Sequence, residues 1–567
     1  MSSNDIETNG QINTPSDEPL IYPVNGASPE SQGGEPKEFA EVKKLRRGLA
    51  QRHIQMIALA GTIGTGLFLG SGKAIARAGP LGALLGYTLV GILVSGVVLS
   101  IAELSALVPL SGGIIRHAEY FVDPALSFAN GWNQVYSNII TIPAELVAAA
   151  VLIQFWVQIN NAVWIICFGF LLVISNLLFV RVYGELEFTC AILKIMLIVG
   201  LNIMVCLSYP SASKAPTNPS QALVITCGGG PNGETYGFRY WRNPGPFVDY
   251  LGYTGALGHF MGFWTTFSNA VYAYSGVENF SLAAAETQSP RRNIPIAAKR
   301  IFFRVMLFYV LSIFMIGMIV PSNDKELLRS TGTAAQSPFV IAANNAGIKV
   351  VPSIINAVVL TSAWSAGNAA MLGGSRMLYG LGQHGHSPKV FLQTNRFDVP
   401  YIAIGFLSLF ICLGFLTLSS SASAVFNWLQ DFVAVAALVN WMIICGVYLR
   451  FYYGCKKQGI SRSTLPWKGP FQPYAAWIAL ISFSILLLTG GYSVFIKDHW
   501  NTETFVSSYI NIPLILILYF GYKYKQGTEI IPLSDIPIQK FIDIANNNPE
   551  PEEEKVVGWK RLNILWS

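Results

Sequence analysis

From about residue 54 to residue 524 the chain alternates between unbroken apolar runs and short polar stretches. A hydrocarbon layer about 30 Å thick takes about 20 helical residues at 1.5 Å each. On that ruler twelve runs qualify, at about 54–76, 81–104, 125–156, 162–181, 186–208, 258–284, 301–320, 352–380, 401–418, 425–450, 473–495 and 506–524. The third, sixth and eighth exceed one layer thickness, which predicts that they tilt, break or extend beyond it. The pattern predicts an all-α integral membrane protein: a polar tail over 1–53, a ten-helix core over 54–450, two further helices within 451–525, and a second polar tail over 526–567. Both tails read as disordered and regulatory.

Composition agrees with the pattern. Charged residues make up 12% and hydrophobic ones 52%, where soluble chains carry about 25% charged residues, so a soluble fold is excluded. The net charge of +6 does not indicate a nucleic-acid surface, because the basic residues punctuate apolar runs instead of forming a face. They act as orientation signals. With the N-terminus inside, 27 of the 37 Lys and Arg fall in cytoplasmic segments and 9 in external ones, leaving Lys194 within a span, which predicts two cytoplasmic termini. Residues 1–40 contain no apolar core of a signal peptide. The seven cysteines include no CxxC pair and read as free thiols. The 209–257 segment, with CGGGPNGETYGFRYWRNPGPF, reads either as an ordered cap over an external vestibule or as a plain connector.

Glycines in the middle of a span need a physical reason, since every backbone N–H and C=O in hydrocarbon must find a partner. The first span reads RHIQMIALAGTIGTGLFLGSG, with Gly61, Gly64, Gly66, Gly70 and Gly72. Close helix packing explains such a run on its own. The sixth span, however, carries AYSGVENF, with Ser275, Gly276 and Glu278 inside an apolar run. Interruptions in corresponding positions of two halves point to a transporter built from inverted five-helix repeats, with its site at the midplane. Half-helix N–H groups suit a carboxylate and freed carbonyls suit an ammonium, so a zwitterion fits both.

These segments resemble the yeast and fungal amino-acid permeases of the amino acid/polyamine/organocation superfamily. Besides the two quoted runs, the resemblance is carried by AELSALVPLSGG, FANGWN, IPAEL, GGSRMLYGLGQHGHSPKVF, and FNWL through YLRF to LPWKGPFQPY, in order over residues 46–525. It implies a twelve-helix, proton-coupled amino-acid importer of the plasma membrane. Thr62, Ile63, Gly64, Thr65 and Gly66 match the unwound turn that holds the substrate carboxylate, and Tyr274, Ser275 and Gly276 the turn that holds the amino group. The chain departs from the family's GTEL at Gly276, Val277, Glu278 and Asn279. It departs again in SAWSAGNAA, around Asn368, where SAxNS is usual. Both departures flank the expected pocket, so the choice of substrate side chain does not carry over.

Three ionisable residues sit at membrane depth, where such groups are functional candidates. Lys194 lies near the centre of the fifth span; the resemblance places it where sodium sits in sodium-driven cousins and implies proton coupling, while a static ion pair is the alternative. Glu145, after Pro143, either faces the pocket as partner for substrate or proton, or holds the third span against a neighbour. Glu278 either fixes the sixth-span break or takes part in proton transfer. Trp264 and Phe267 precede that break by a turn or two and are candidate gates, or ordinary packing. Glu103 and Glu286 read as gate or topology residues beside Arg116, Arg291 and Arg292.

No GxxxxGK[ST] loop, catalytic nucleophile set or metal-ligand spacing appears, so neither an enzyme nor a cofactor is expected. The expected partners are an amino acid, protons and the lipid bilayer. Lys37, Lys43 and Lys44 precede the first span, where fungal relatives are ubiquitinated, so ubiquitin-ligase adaptors are further candidates; these lysines also suit plain positive-inside topology. An amino-acid sensor of the same fold, or a permease for carnitine, polyamine or γ-aminobutyrate, is the competing reading.

Overall fold

The computed structural model describes residues 64–109, 113–178, 180–207, 237–279, 290–328, 337–345, 350–547 and 550. Thr62, Ile63, Glu286 and the tail lysines Lys37, Lys43 and Lys44 lie outside the described residues. The regular secondary structure of the described residues is helical, with an isolated bridge between Tyr250 and Tyr253 instead of a sheet.

In chain order, α1 is Thr65–Phe68, α2 Gly70–Leu107, α3 Ile114–Phe121, α4 Pro124–Ile153, α5 Asn161–Leu178 and α6 Val180–Leu207. There follow α7, Arg239–Arg242; α8, Gly255–Tyr274; α9, Pro290–Val305; a π turn at Met306–Val310; and α10, Leu311–Ile319. Next come α11, Lys325–Leu328; α12, Pro338–Asn345; α13, Val351–Gln383; and α14, Tyr401–Leu409, which continues as a 3₁₀ stretch over Phe410–Leu418. The last are α15, Ala422–Lys457; α16, Tyr474–Thr489; α17, Thr502–Tyr509; α18, Asn511–Gln526; and α19, Ile538–Asn547. Among the described residues, six helical stretches are long and apolar enough to cross a membrane, and two shorter apolar helices accompany them.

The α2 helix joins the end of the first predicted span to the second across a kink. Gly79 has φ +76°, a left-handed value open to glycine, and Pro80 restarts the helix. A β-carbon at Gly79 would lie 2.6 Å from the Pro246 carbonyl, which accepts the Leu81 amide. The kink is therefore where the segment that follows α6 docks. Its α7 packs Trp241 on Phe314 and donates the indole N–H to the Gly317 carbonyl. Residues 237–257 of that segment are thus packed on α2 and α10.

Helices α2 and α8 meet through small residues. A β-carbon at Gly86 would fall 1.9 Å from Thr266 Oγ1, so only glycine permits this approach.

At the opposite end the turn after α15 folds back on α2. Glu103, buried to 1% exposure, accepts from Arg462 through both carboxylate oxygens, from Tyr448 OH at 3.0 Å, and from the Gly469 amide at 2.8 Å. Its partners are thus Arg462, 359 residues away, and Gly469 of the LPWKGPF turn, where the sequence places Arg116 beside it. His117, on α3, is pushed down to about 4 by burial, against the 2.8 Å contact with the Val108 carbonyl, and its ring is neutral.

The second tail corrects the disorder expected of it. Residues 527–547 are packed: Ile536, Ile538, Phe541, Ile542 and Ala545 are buried, spaced along α19 as an amphipathic helix requires. Gln458 donates to the Leu533 and Ile536 carbonyls, and Arg450 to those of Phe121 and Ile531. A chain that buries this much apolar surface pays for its own ordering.

Candidate functional site

The sixth-span break is present and lies against the start of α1, while residues 54–63 of the first span lie outside the described residues. Gly64 is extended (φ −143°, ψ −163°), α1 starts at Thr65, and the Leu67 amide bonds the Gly64 carbonyl at 3.2 Å. Helix α8 ends at Tyr274; Ser275 leaves the helical region (ψ 145°) and Gly276 takes φ +86° before a short turn over Val277, Glu278 and Asn279. A β-carbon at Gly66 would lie 2.8 Å from Ala273 Cα and 2.9 Å from the Tyr272 ring. The first-span glycines thus serve both readings: Gly64 opens the helix, and Gly66 lets the broken segments touch.

Glu145 of α4 joins the breaks. Its Oε1 accepts from Thr65 Oγ1 at 2.9 Å and from Tyr272 OH at 3.2 Å, and those hydroxyls are 3.3 Å apart. Oε2 is buried and has no hydrogen-bond partner among the described residues. Such an oxygen is costly unless something supplies a donor. Gly367 of α13 faces the same side chain, 3.5 Å from Glu145 Cβ by its added carbon, and Phe426 of α15 meets the Tyr272 ring edge-on at 6.2 Å. Tyr272 is absent from the sequence-derived site; its place three residues before Ser275 is the signal that would have found it.

The other candidates distribute as follows. The Tyr274 side chain points away from the break, fully buried between Tyr87, whose carbonyl takes its hydroxyl at 3.1 Å, and Tyr309. Its backbone carbonyl is then what remains for a ligand. Tyr309 OH takes the freed Ala273 carbonyl at 2.9 Å, and Ser275 Oγ the Tyr272 carbonyl at 2.7 Å. Val277 is buried. Glu278 accepts from Asn440 Nδ2 at 3.0 Å and Trp441 Nε1 at 3.1 Å, which anchors the broken segment to α15. Asn368 Oδ1 accepts from Ser175 Oγ and Asn176 Nδ2 of α5. Phe267 is buried, while the Trp264 indole donates to Thr489 of α16 at 2.9 Å. Lys194 is 1% exposed and meets Ser365 of α13 and Glu187 of its own helix.

Residues 53–530 match the family model described as "Amino acid permease". The chain belongs to the amino acid permease family. The permease is 36% identical over 539 residues to the dicarboxylic amino acid permease of Saccharomyces cerevisiae, covering 93% of this chain and 86% of that one. It is 36% identical to the proline-specific permease of the same yeast, over 95% and 85% of the two chains. To a probable lysine/arginine permease of Candida albicans it is 35% identical, over 100% and 97%. Among solved structures, a manganese transporter of Eremococcus coleocola superposes with a TM-score of 0.52 at 14% identity, over 91% of this chain and 99% of that one, a likeness of fold alone. The permease is thus an amino-acid transporter of the membrane.

Proposed function

We propose that the permease imports α-amino acids together with protons across the plasma membrane, through twelve spans arranged as two inverted five-helix repeats plus two helices, with both termini cytoplasmic. The Glu145 carboxylate carries this reading: it ties the start of α1 to the end of α8 and keeps one buried oxygen for an incoming donor. The substrate carboxylate sits on the amides at the start of α1, where the dipole's positive end favours an anion. Its ammonium lies between the Glu145 oxygen and the carbonyls of Tyr274, Ser275 and Gly276. Phe267 covers the site from outside, and Lys194 exchanges the coupled proton.

The similarity is equal for relatives named for proline, dicarboxylic and lysine substrates, so whole-chain likeness does not choose the side chain. Uptake of a radiolabelled amino-acid panel in a transport-deficient host tests the proposal, with carnitine, polyamines and γ-aminobutyrate as competitors and with the proton gradient present or collapsed. Accumulation that needs the gradient is expected. Signalling without accumulation, or accumulation indifferent to the gradient, overturns it.

A further inference from the structure

Lys194 is the inner end of a directional chain of polar atoms. Its Nζ donates to Ser365 Oγ at 3.3 Å, and Ser365 Oγ donates to Glu187 Oε2 at 2.7 Å; Nζ lies 4.0 Å from Glu187 Oε1. All three residues are 3% exposed or less. Glu187 and Lys194 are seven residues apart on α6, two turns along one face and about 10 Å in rise. Helical side chains lean toward the N-terminus, so the long lysine reaches back to the carboxylate, and the hydroxyl from α13 fills the gap. Ser365 stands where the family's SAxNS pattern has asparagine. A hydroxyl takes one proton and gives up another at a single oxygen.

We propose that Glu187 is the relay residue that takes the coupled proton from Lys194 through Ser365 and releases it to the cytoplasm. This rests on the proton-coupled reading above. In the step, the N–H bond of the Lys194 ammonium breaks as a new O–H forms on Ser365. The original Ser365 proton passes to Glu187 Oε2, leaving a neutral amine, an intact serine and a neutral carboxylic acid. Glu187 is the member nearer the start of α6, the cytoplasmic end in the proposed orientation. Cys190 lies beside the chain on α6, and Glu145 of α4 acts on Lys194 through its charge. The sequences of the packed helices α5 and α10 contain no Asp, Glu, Lys, Arg or His, and the span of α13 around Ser365 contains none before Arg376.

The test separates net uptake from exchange. Net import requires proton release on the inner side at every cycle, whereas counterflow of substrate against substrate does not. In cells expressing full-length tagged permease at matched surface abundance, Glu187→Gln and Ser365→Ala should each lower net uptake about tenfold or more, the scale of a lost proton-transfer group, and flatten its dependence on external pH. Counterflow should stay within about twofold of wild type. Ser365→Thr, which keeps the hydroxyl, should retain net uptake. Ser365→Ala keeps both charges, so it decides the matter if Glu187→Gln does not reach the surface. Net uptake and counterflow falling together in the variants would mean a static ion pair and overturn the relay. Lys194→Met is the reference. If it loses pH dependence while Glu187→Gln and Ser365→Ala keep wild-type net uptake, the relay alone fails; if it keeps wild-type pH dependence, the assignment of coupling to Lys194 fails.

Discussion

Replacing Gly66 by alanine probes the contact on which the site depends. The added β-carbon would sit 2.8 Å from Ala273 Cα, 2.9 Å from Tyr272 Cδ1 and 3.2 Å from the Ala273 amide nitrogen. Two of these atoms are backbone, so no rotamer change relieves the clash, and the α1 and α8 breaks must part by about half an ångström to reach ordinary contact. Overpacking of this kind costs about 1–3 kcal/mol. The Thr65–Glu145–Tyr272 triad spans the same gap with bonds of 2.9 and 3.2 Å, so parting the breaks stretches those bonds too. At 1.4 kcal/mol per tenfold, the expected loss is roughly 5- to 100-fold in apparent substrate affinity. The assay is initial uptake against substrate concentration, normalised to surface abundance. Wild-type half-saturation and rate in Gly66→Ala would refute the claim that the breaks must touch for substrate to bind.

Other consequences are open to measurement. Glu145→Gln should reduce uptake by more than tenfold, and Thr65→Val by about fivefold, the worth of one hydrogen bond of about 1 kcal/mol; saturation kinetics of both variants check this. Arg462→Ala strands the buried Glu103 carboxylate and should cost about 3 kcal/mol, seen as a lower melting temperature of the detergent-solubilised permease. Asp123 caps α4 by accepting the Ala125 amide and also binds Lys523 at 2.7 Å. Burial raises its pKa, but hydrogen bonds from Lys523 and Ala125 outweigh this and hold the carboxyl below its ordinary 3.8. Its folded-state pKa is depressed, so its contribution is complete above the ordinary carboxylate range and is lost as pH falls through and below about 4. Asp123→Asn should therefore melt lower than wild type at neutral pH, with the difference shrinking toward pH 3.

The helices were legible because a membrane-length apolar run has few alternatives in backbone terms, and the two breaks were legible because glycine and serine interrupt such runs for a reason. What joins distant segments was not. Glu103 looked like a partner for nearby Arg116 and instead binds Arg462, because the turn after α15 returns to α2. Tyr272 was not among the sequence candidates, since nothing local shows that its hydroxyl meets a carboxylate 127 residues earlier. Glu187 had a local signal, the seven-residue spacing to Lys194, but its bond to Ser365 comes from the packing of α6 on α13. The spacing of Ile538, Phe541, Ile542 and Ala545 is a helical stripe readable in the chain; the high polarity of the tail around it masked it.

The packed second tail also constrains how the permease can rearrange. Residues 531–547 are tied to α15 by Arg450, by both bonds from Gln458, and by Ile536 and Ile538, which lie against the one spot on α15 where Gly454 leaves room. To α9 they are tied through Arg291, whose guanidinium donates to the Ala545 carbonyl at 2.6 Å and whose amide donates to Glu550. Bonds to charged groups are worth about 1.5–3 kcal/mol each and neutral ones about 0.5–1.5, so the two Arg291 bonds match the Arg450 and Gln458 bonds in scale. The tail segment therefore bridges α9 and α15, and any motion that separates the two helices at this face has to break one set of these contacts.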